Sequence, residues 1–110
     1  MAEECVQVFT TTETKRDAER IARALTERRL AACVQIFGPL SSTYWWKGKL
    51  ENTEEWGCFI KSTQMLYREL ENRLRQVHPY ENPEIIVMPI VGGSQTYLDW
   101  IRSQTMMLGE

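Results

Sequence analysis

The chain has 110 residues, which suits a single domain over 1–110, and its 43% hydrophobic and 25% charged residues are the balance of a globular protein. A formal net charge of −2 gives no reason to wrap a nucleic acid, and no apolar run approaches the ~20 residues that span a bilayer. The acidic start Met1-Ala2-Glu3-Glu4 lacks the basic and apolar regions of a signal peptide, and Cys5, Cys33 and Cys58 form no paired framework, so free thiols in a cytoplasmic protein are expected.

Cys5-Val6-Gln7-Val8-Phe9-Thr10 alternates as a strand, with Val6 and Val8 on one face and Cys5, Gln7 and Phe9 on the other. Thr14 and Asp17 have capping-box spacing. Ala18, Ile21, Ala22 and Leu25 then recur at helical intervals, predicting a helix over 15–29 with Arg28 and Arg29 at the negative end of its dipole. Residues 31–37 predict a second strand, ended by Gly38-Pro39. Residues 42–47 and 50–61 predict a long hairpin turning near Gly48. Tyr44-Trp45-Trp46 lies on its first arm; on the second, Trp56, Cys58 and Ile60 share a face opposite Phe59.

Leu66, Leu70, Leu74 and Val77 stripe a second helix over 63–77, with Ser62 or Thr63 as its N-cap. His78-Pro79-Tyr80-Glu81-Asn82-Pro83-Glu84 then reads as helix stop and rigid turn, because each proline fixes its own φ and pushes the preceding residue extended. That rigidity predicts a half-buried Tyr80, with Glu81 or Glu84 near a subunit boundary. The unbroken apolar run Ile85-Ile86-Val87-Met88 predicts a strand over 85–91 covered on both faces. Gly92-Gly93-Ser94 opens a last helix carrying Tyr97, Leu98, Trp100 and Ile101.

The order β-α-β-(β-β)-α-β-α predicts an α+β fold: a ferredoxin-like antiparallel sheet with a long hairpin and an additional C-terminal helix. Two helices cover one sheet face. If Val8, Val34 and Ile60 point toward them, Phe9, Cys33, Phe37 and Phe59 lie on the other. A sheet apolar on both faces needs a further cover, the last helix over part of it and a second copy of the chain over the rest.

The chemistry-bearing residues are few. His78 is the only histidine, and two roles are open to it: a partly charged cap at a helix C-terminus, or a metal ligand through neutral imidazole. Cys33 and Cys58 are soft ligands in principle and small buried hydrophobes by context. Glu51, Glu54 and Glu55 beside the hairpin turn either attract cations or keep an exposed strand edge from pairing. Gly92-Gly93-Ser94 offers backbone N–H groups to an anion or makes an ordinary turn. No acid–base or nucleophile set can be assembled, so no enzyme is expected, and no organic cofactor.

Several segments in order carry a resemblance: Arg29-Leu30-Ala31-Ala32-Cys33-Val34, Tyr44-Trp45-Trp46-Lys47-Gly48-Lys49, Ile60-Lys61-Ser62, His78-Pro79-Tyr80-Glu81 with Pro83-Glu84-Ile85-Ile86, Pro89-Ile90, and Tyr97-Leu98-x-Trp100. Over residues 5–103 the chain resembles the CutA divalent-cation tolerance proteins. The resemblance implies a ferredoxin-like homotrimer, cytoplasmic in bacteria, linked to copper and heavy-metal tolerance and without an established enzymatic activity. It implies Cu(II) or another divalent cation as ligand. It also implies a likeness to the PII signalling proteins, and so an alternative role: a trimeric module binding a small metabolite or a partner protein at subunit clefts. Members with a proposed copper site use a thiol near the end of the first strand and histidines before the Pro-Tyr. Here those positions hold Phe9, Val77 and His78, and only His78 carries over as a metal-ligand candidate. The aromatic hairpin arm is then expected to reach neighbouring subunits in a cyclic trimer.

Overall fold

A computed structural model describes residues 3–106. Its elements are β1 (Cys5–Thr12), α1 (Lys15–Glu27), β2 (Cys33–Trp46), β3 (Lys49–Thr63), α2 (Tyr67–Val77), β4 (Ile86–Pro89) and α3 (Gln95–Gln104). The four strands form one antiparallel sheet in the order β2-β3-β1-β4. This is the expected ferredoxin-like α+β plan with a third helix added.

The alternation of β1 sends Val6 and Val8 to the face covered by α1 and α2. There they meet Ile60, Ile21, Leu25, Leu70 and Leu74, all fully buried. Trp56 packs against this core half-buried, with the Lys15 ammonium 5.8 Å above its ring. The other face carries Phe9, Phe37 and Phe59, whose rings lie 4.8–6.0 Å apart between centroids. α3 covers one end of that face: Ile101 is buried, and the Cys5 thiol donates to the Leu98 carbonyl at 3.7 Å. The division of apolar residues between two faces is thus as the sequence predicted.

Several boundaries differ from expectation. α1 ends at Glu27, and Arg29 takes a left-handed φ of 57°. Leu30 N–H bonds the Leu25 carbonyl and Arg29 N–H that of Thr26, which is Schellman closure with arginine where glycine is usual. Gly38-Pro39 does not end the second strand. β2 runs on through one extra residue, Phe37 facing Gly57 and Leu40 facing Glu55, so the predicted strand and hairpin arm are a single bulged strand. Ser62 belongs to β3 and donates to the Leu30 carbonyl, while Thr63 makes no side-chain cap; a 3-10 turn over Gln64–Leu66 leads into α2. Ser94 likewise makes no side-chain cap on α3.

The largest difference is β4. It pairs only with β1, from Phe9↔Ile86 to Val6↔Pro89, and so lies at a sheet edge. Ile86 and Met88 are exposed there, against the expectation of a strand covered on both faces. The apolar run lies on an exposed sheet edge rather than at a central position. Among the described residues, no helix is long and apolar enough to cross a membrane.

Candidate functional site

The turn after α2 is held by its histidine. His78 is the C-cap of α2, its N–H bonding the Leu74 carbonyl, and its side chain turns inward and is buried. Nε2 lies 2.9 Å from the Thr11 carbonyl and 3.1 Å from Thr10 Oγ1, while Nδ1 accepts the Tyr80 N–H at 3.1 Å. An acceptor at Nδ1 and a carbonyl at Nε2 define the neutral tautomer with its proton on Nε2. Burial lowers the His78 pKa, opposed by the Thr11 carbonyl bond and by the charges of Asp17 and Glu55. Of the two roles the sequence leaves open, the cap is the one its backbone takes, with a neutral rather than partly charged imidazole whose two nitrogens are both engaged.

Fixing His78 fixes Tyr80, which is half-buried as expected, its ring 5.0 Å from the imidazole between centroids. Its phenol donates to Glu55 Oε2 at 2.7 Å. Glu55 is only 7% exposed. Burial and the Glu55 carboxylate hold the phenol well above its usual pKa. Burial, and then the same carboxylate, raise Glu84.

Between this turn and the β2–β3 arm lies a cleft of about 710 Å³. Glu13, Glu54, Glu55, Glu81 and Glu84 line it with Tyr44, Trp45, Trp46 and Tyr80, and no lysine, arginine or histidine does. The sequence singled out Glu54 and Glu55 as part of an exposed acidic cluster. Glu54 is exposed, whereas Glu55 is folded inward behind the bulge; Glu51 lies outside the lining. Glu81 and Glu84, expected from sequence near a subunit boundary, line the cleft; Glu13 was not anticipated, because nothing in a linear reading brings the β1–α1 loop to the 79–84 turn.

The other candidates lie apart. Cys58 is buried in the helix-covered core, where desolvation pushes its thiol up to about 11, and Cys33 is on the opposite face. All three cysteines are free. Gly92-Gly93-Ser94 opens α3 away from the cleft lining. Among the described residues, no three His, Cys, Asp or Glu side chains converge to hold a metal ion.

Comparison with known proteins gives a consistent picture. The family described as CutA1 divalent ion tolerance protein matches residues 6–104. The chain is 41% identical over 98 residues to the divalent-cation tolerance protein CutA of Thermus thermophilus, covering 89% of this chain and 95% of that one. It is 42% identical over 97 residues to human protein CutA, covering 88% of this chain but 54% of the human one. Among solved structures, CutA1 from Ehrlichia chaffeensis superposes with a TM-score of 0.91 at 30% identity, covering 97% of this chain and all of the other. The Thermus thermophilus Cut A1 structure gives 0.89 at 39% identity, covering 93% of this chain and 99% of its own.

Proposed function

Because the chain belongs to the CutA1 divalent ion tolerance family, we propose that it acts in divalent-cation tolerance as a non-catalytic, cytoplasmic homotrimer that takes cations at the cleft between its hairpin arm and the 79–84 turn. One observation carries the cation reading: five glutamates and no basic side chain line that cleft. Carboxylate oxygens suit divalent cations, Cu(II) among them, whereas the protonated, buried Cys58 thiol suits none. His78 enters as the residue that positions Tyr80 and Glu55, since ligation would cost it its bonds to Thr11 or Tyr80. The trimer is supported by the exposed apolar edge at Ile86 and Met88 and by the arm itself, with Trp45 72% exposed. Three free thiols suit a reducing compartment.

Calorimetric titration of the purified protein with Cu(II), Zn(II) and Mn(II) tests the reading. Saturable binding weakened about tenfold by Glu81→Gln with Glu84→Gln is expected, a loss of order 1.4 kcal/mol. Absence of saturable binding by all three ions at millimolar concentration overturns it.

A second reading, a PII-like module for a small metabolite or a partner protein, is favoured by the size of the cleft. Its volume of about 710 Å³ falls within the range of small-molecule pockets. A metabolite that binds the native state raises the melting temperature, so a thermal-shift panel separates the two readings.

A further inference from the structure

The turn after α2 is tied down by few bonds. Pro79 and Pro83 have no N–H to give. Pro79, Glu81, Asn82 and Glu84 are exposed. Among the described residues the 79–84 stretch makes two hydrogen bonds: Tyr80 N–H to His78 Nδ1 at 3.1 Å, and the Tyr80 phenol to Glu55 Oε2 at 2.7 Å. A segment so lightly bonded opens locally at lower cost than the core.

The imidazole that accepts the first of these bonds is buried. Its one ring proton, on Nε2, faces the Thr11 carbonyl and Thr10 Oγ1 on β1. A second proton can go only to Nδ1, where it stands against the Tyr80 N–H, donor to donor. The charges around the ring pull the other way. Asp17 on α1 and Glu55 on β3 favour its charged form. Arg20 on α1, 4.0 Å from Asp17 Oδ1, donates to the neighbouring Val77 carbonyl at 3.2 Å. Glu13, in the β1–α1 loop, acts on Tyr80. The C-terminus of α2, which His78 caps, also favours a cation. A charged imidazole is therefore misplaced where the neutral one is held, and well placed once turned outward at the helix end.

We propose that His78 is an acid-sensitive latch: proton uptake at Nδ1 breaks its bond to the Tyr80 N–H, the imidazolium turns toward solvent, and the 78–84 turn loosens while the sheet and α2 stay folded. Tyr80, whose ring packs 5.0 Å from the imidazole, moves with the turn and uncovers Glu55. Burial lowers the ring's pKa from 6.5, so the latch is shut at neutral pH and opens below that value. It works in the same way whatever the cleft takes, and so stands apart from the cation reading.

His78 is the only histidine, so its ring titration is read directly from the imidazole Cε1–H NMR signal of the full chain in its native assembly. Hydrogen exchange of the backbone amides, corrected for the intrinsic pH dependence of exchange, follows the turn in the same samples between about pH 4 and 8. Expected is one ring inflection below 6.5. Protection of the Tyr80 amide falls about tenfold over the pH unit below that inflection, while amides of β1 and α2 keep theirs. His78→Gln abolishes the step, whether its turn is held or loose throughout. Glu55→Gln keeps the step and moves it to lower pH, since a charge favouring the imidazolium is gone. A ring that titrates at 6.5 or above overturns the latch. So does a ring that stays neutral until the whole chain unfolds, a Tyr80 amide that ignores the ring's titration, loss of protection in β1 and α2 at the same midpoint, or a step that survives in His78→Gln.

Discussion

His78 is buried neutral, with an acceptor role toward Tyr80 N–H that a second ring proton destroys. Its pKa is lowered from 6.5 in the folded protein. The unfolded chain therefore takes up this proton first as pH falls. The stabilisation is fully present above about 6.5 and is lost as pH drops through the lower, folded value. Glu84 has the opposite sign: its folded pKa is raised from 4.5, so its contribution is present at low pH and lost as pH rises through the folded value. The His78 part is isolated by comparing melting temperature against pH for the wild type and for His78→Gln: the wild-type curve falls more steeply below pH 6.5. Equal slopes contradict the buried neutral imidazole. At the same site Tyr80→Phe removes the only hydrogen bond that a nearly buried carboxylate accepts among the described residues. Charged hydrogen bonds contribute about 1.5 to 3 kcal/mol, so Tyr80→Phe is expected to lower unfolding free energy in urea by that order. Glu55→Gln keeps an acceptor without the charge and costs less.

At the scale of elements, β2 and β3 are joined by packing that forbids side chains at one place. A Cβ added to Gly57 meets the Phe37 ring at 2.6 Å, and that ring is stacked on Phe59. Gly57→Ala is therefore expected to cost about 1 to 3 kcal/mol, the range for overpacking. Phe37→Leu in the same chain recovers part of it, and urea midpoints at constant slope check both. Gly48→Ala meets no neighbouring atom; its cost comes from a φ of 79°. This scale also shows what a linear reading captures. Alternation in β1 and the second half of β3 placed Val6, Val8, Cys58 and Ile60 correctly, because one face is dry and period two is unambiguous there. Gly38-Pro39 read as a strand end because both residues commonly interrupt ladders; the chain absorbs them as a bulge instead. Beyond that bulge Glu55 faces Leu40 and accepts the Tyr80 phenol, and an acidic residue that reads as exposed in the linear sequence is buried. Half of the cleft was legible, as the rigid 79–83 turn and the aromatic arm. The meeting of the two was not, since it depends on tertiary placement of β1's end.

At the scale of the whole molecule, the single chain measures 47 × 26 × 23 Å, elongated for its size, and leaves apolar surface along one side. β4 has a free backbone edge beside Ile86 and Met88, and the Phe9, Phe37 and Phe59 face is covered by α3 only at one end. Free edges and apolar faces together favour pairing with another chain, and repeated heterologous contacts stop at a finite size only if they close into a ring. Trp56 takes no part in that surface, because it packs on the core beneath Lys15; Trp45 and Trp46 on the arm do. A trimer is the expected closure. Light scattering at micromolar concentration and moderate salt is expected to give three times the 12.9 kDa chain mass. Trp46→Ala removes part of a large aromatic contact, about 150–250 Å² for a whole ring. Ile86→Lys with Met88→Glu places charges on the edge proposed to pair with a neighbour. Each is expected to shift the mass toward monomer, the double change more completely, with Trp46→Ala retaining native circular dichroism at low temperature. A wild-type mass of one chain overturns the trimer. An unchanged mass in Ile86→Lys with Met88→Glu removes β4 from the contact.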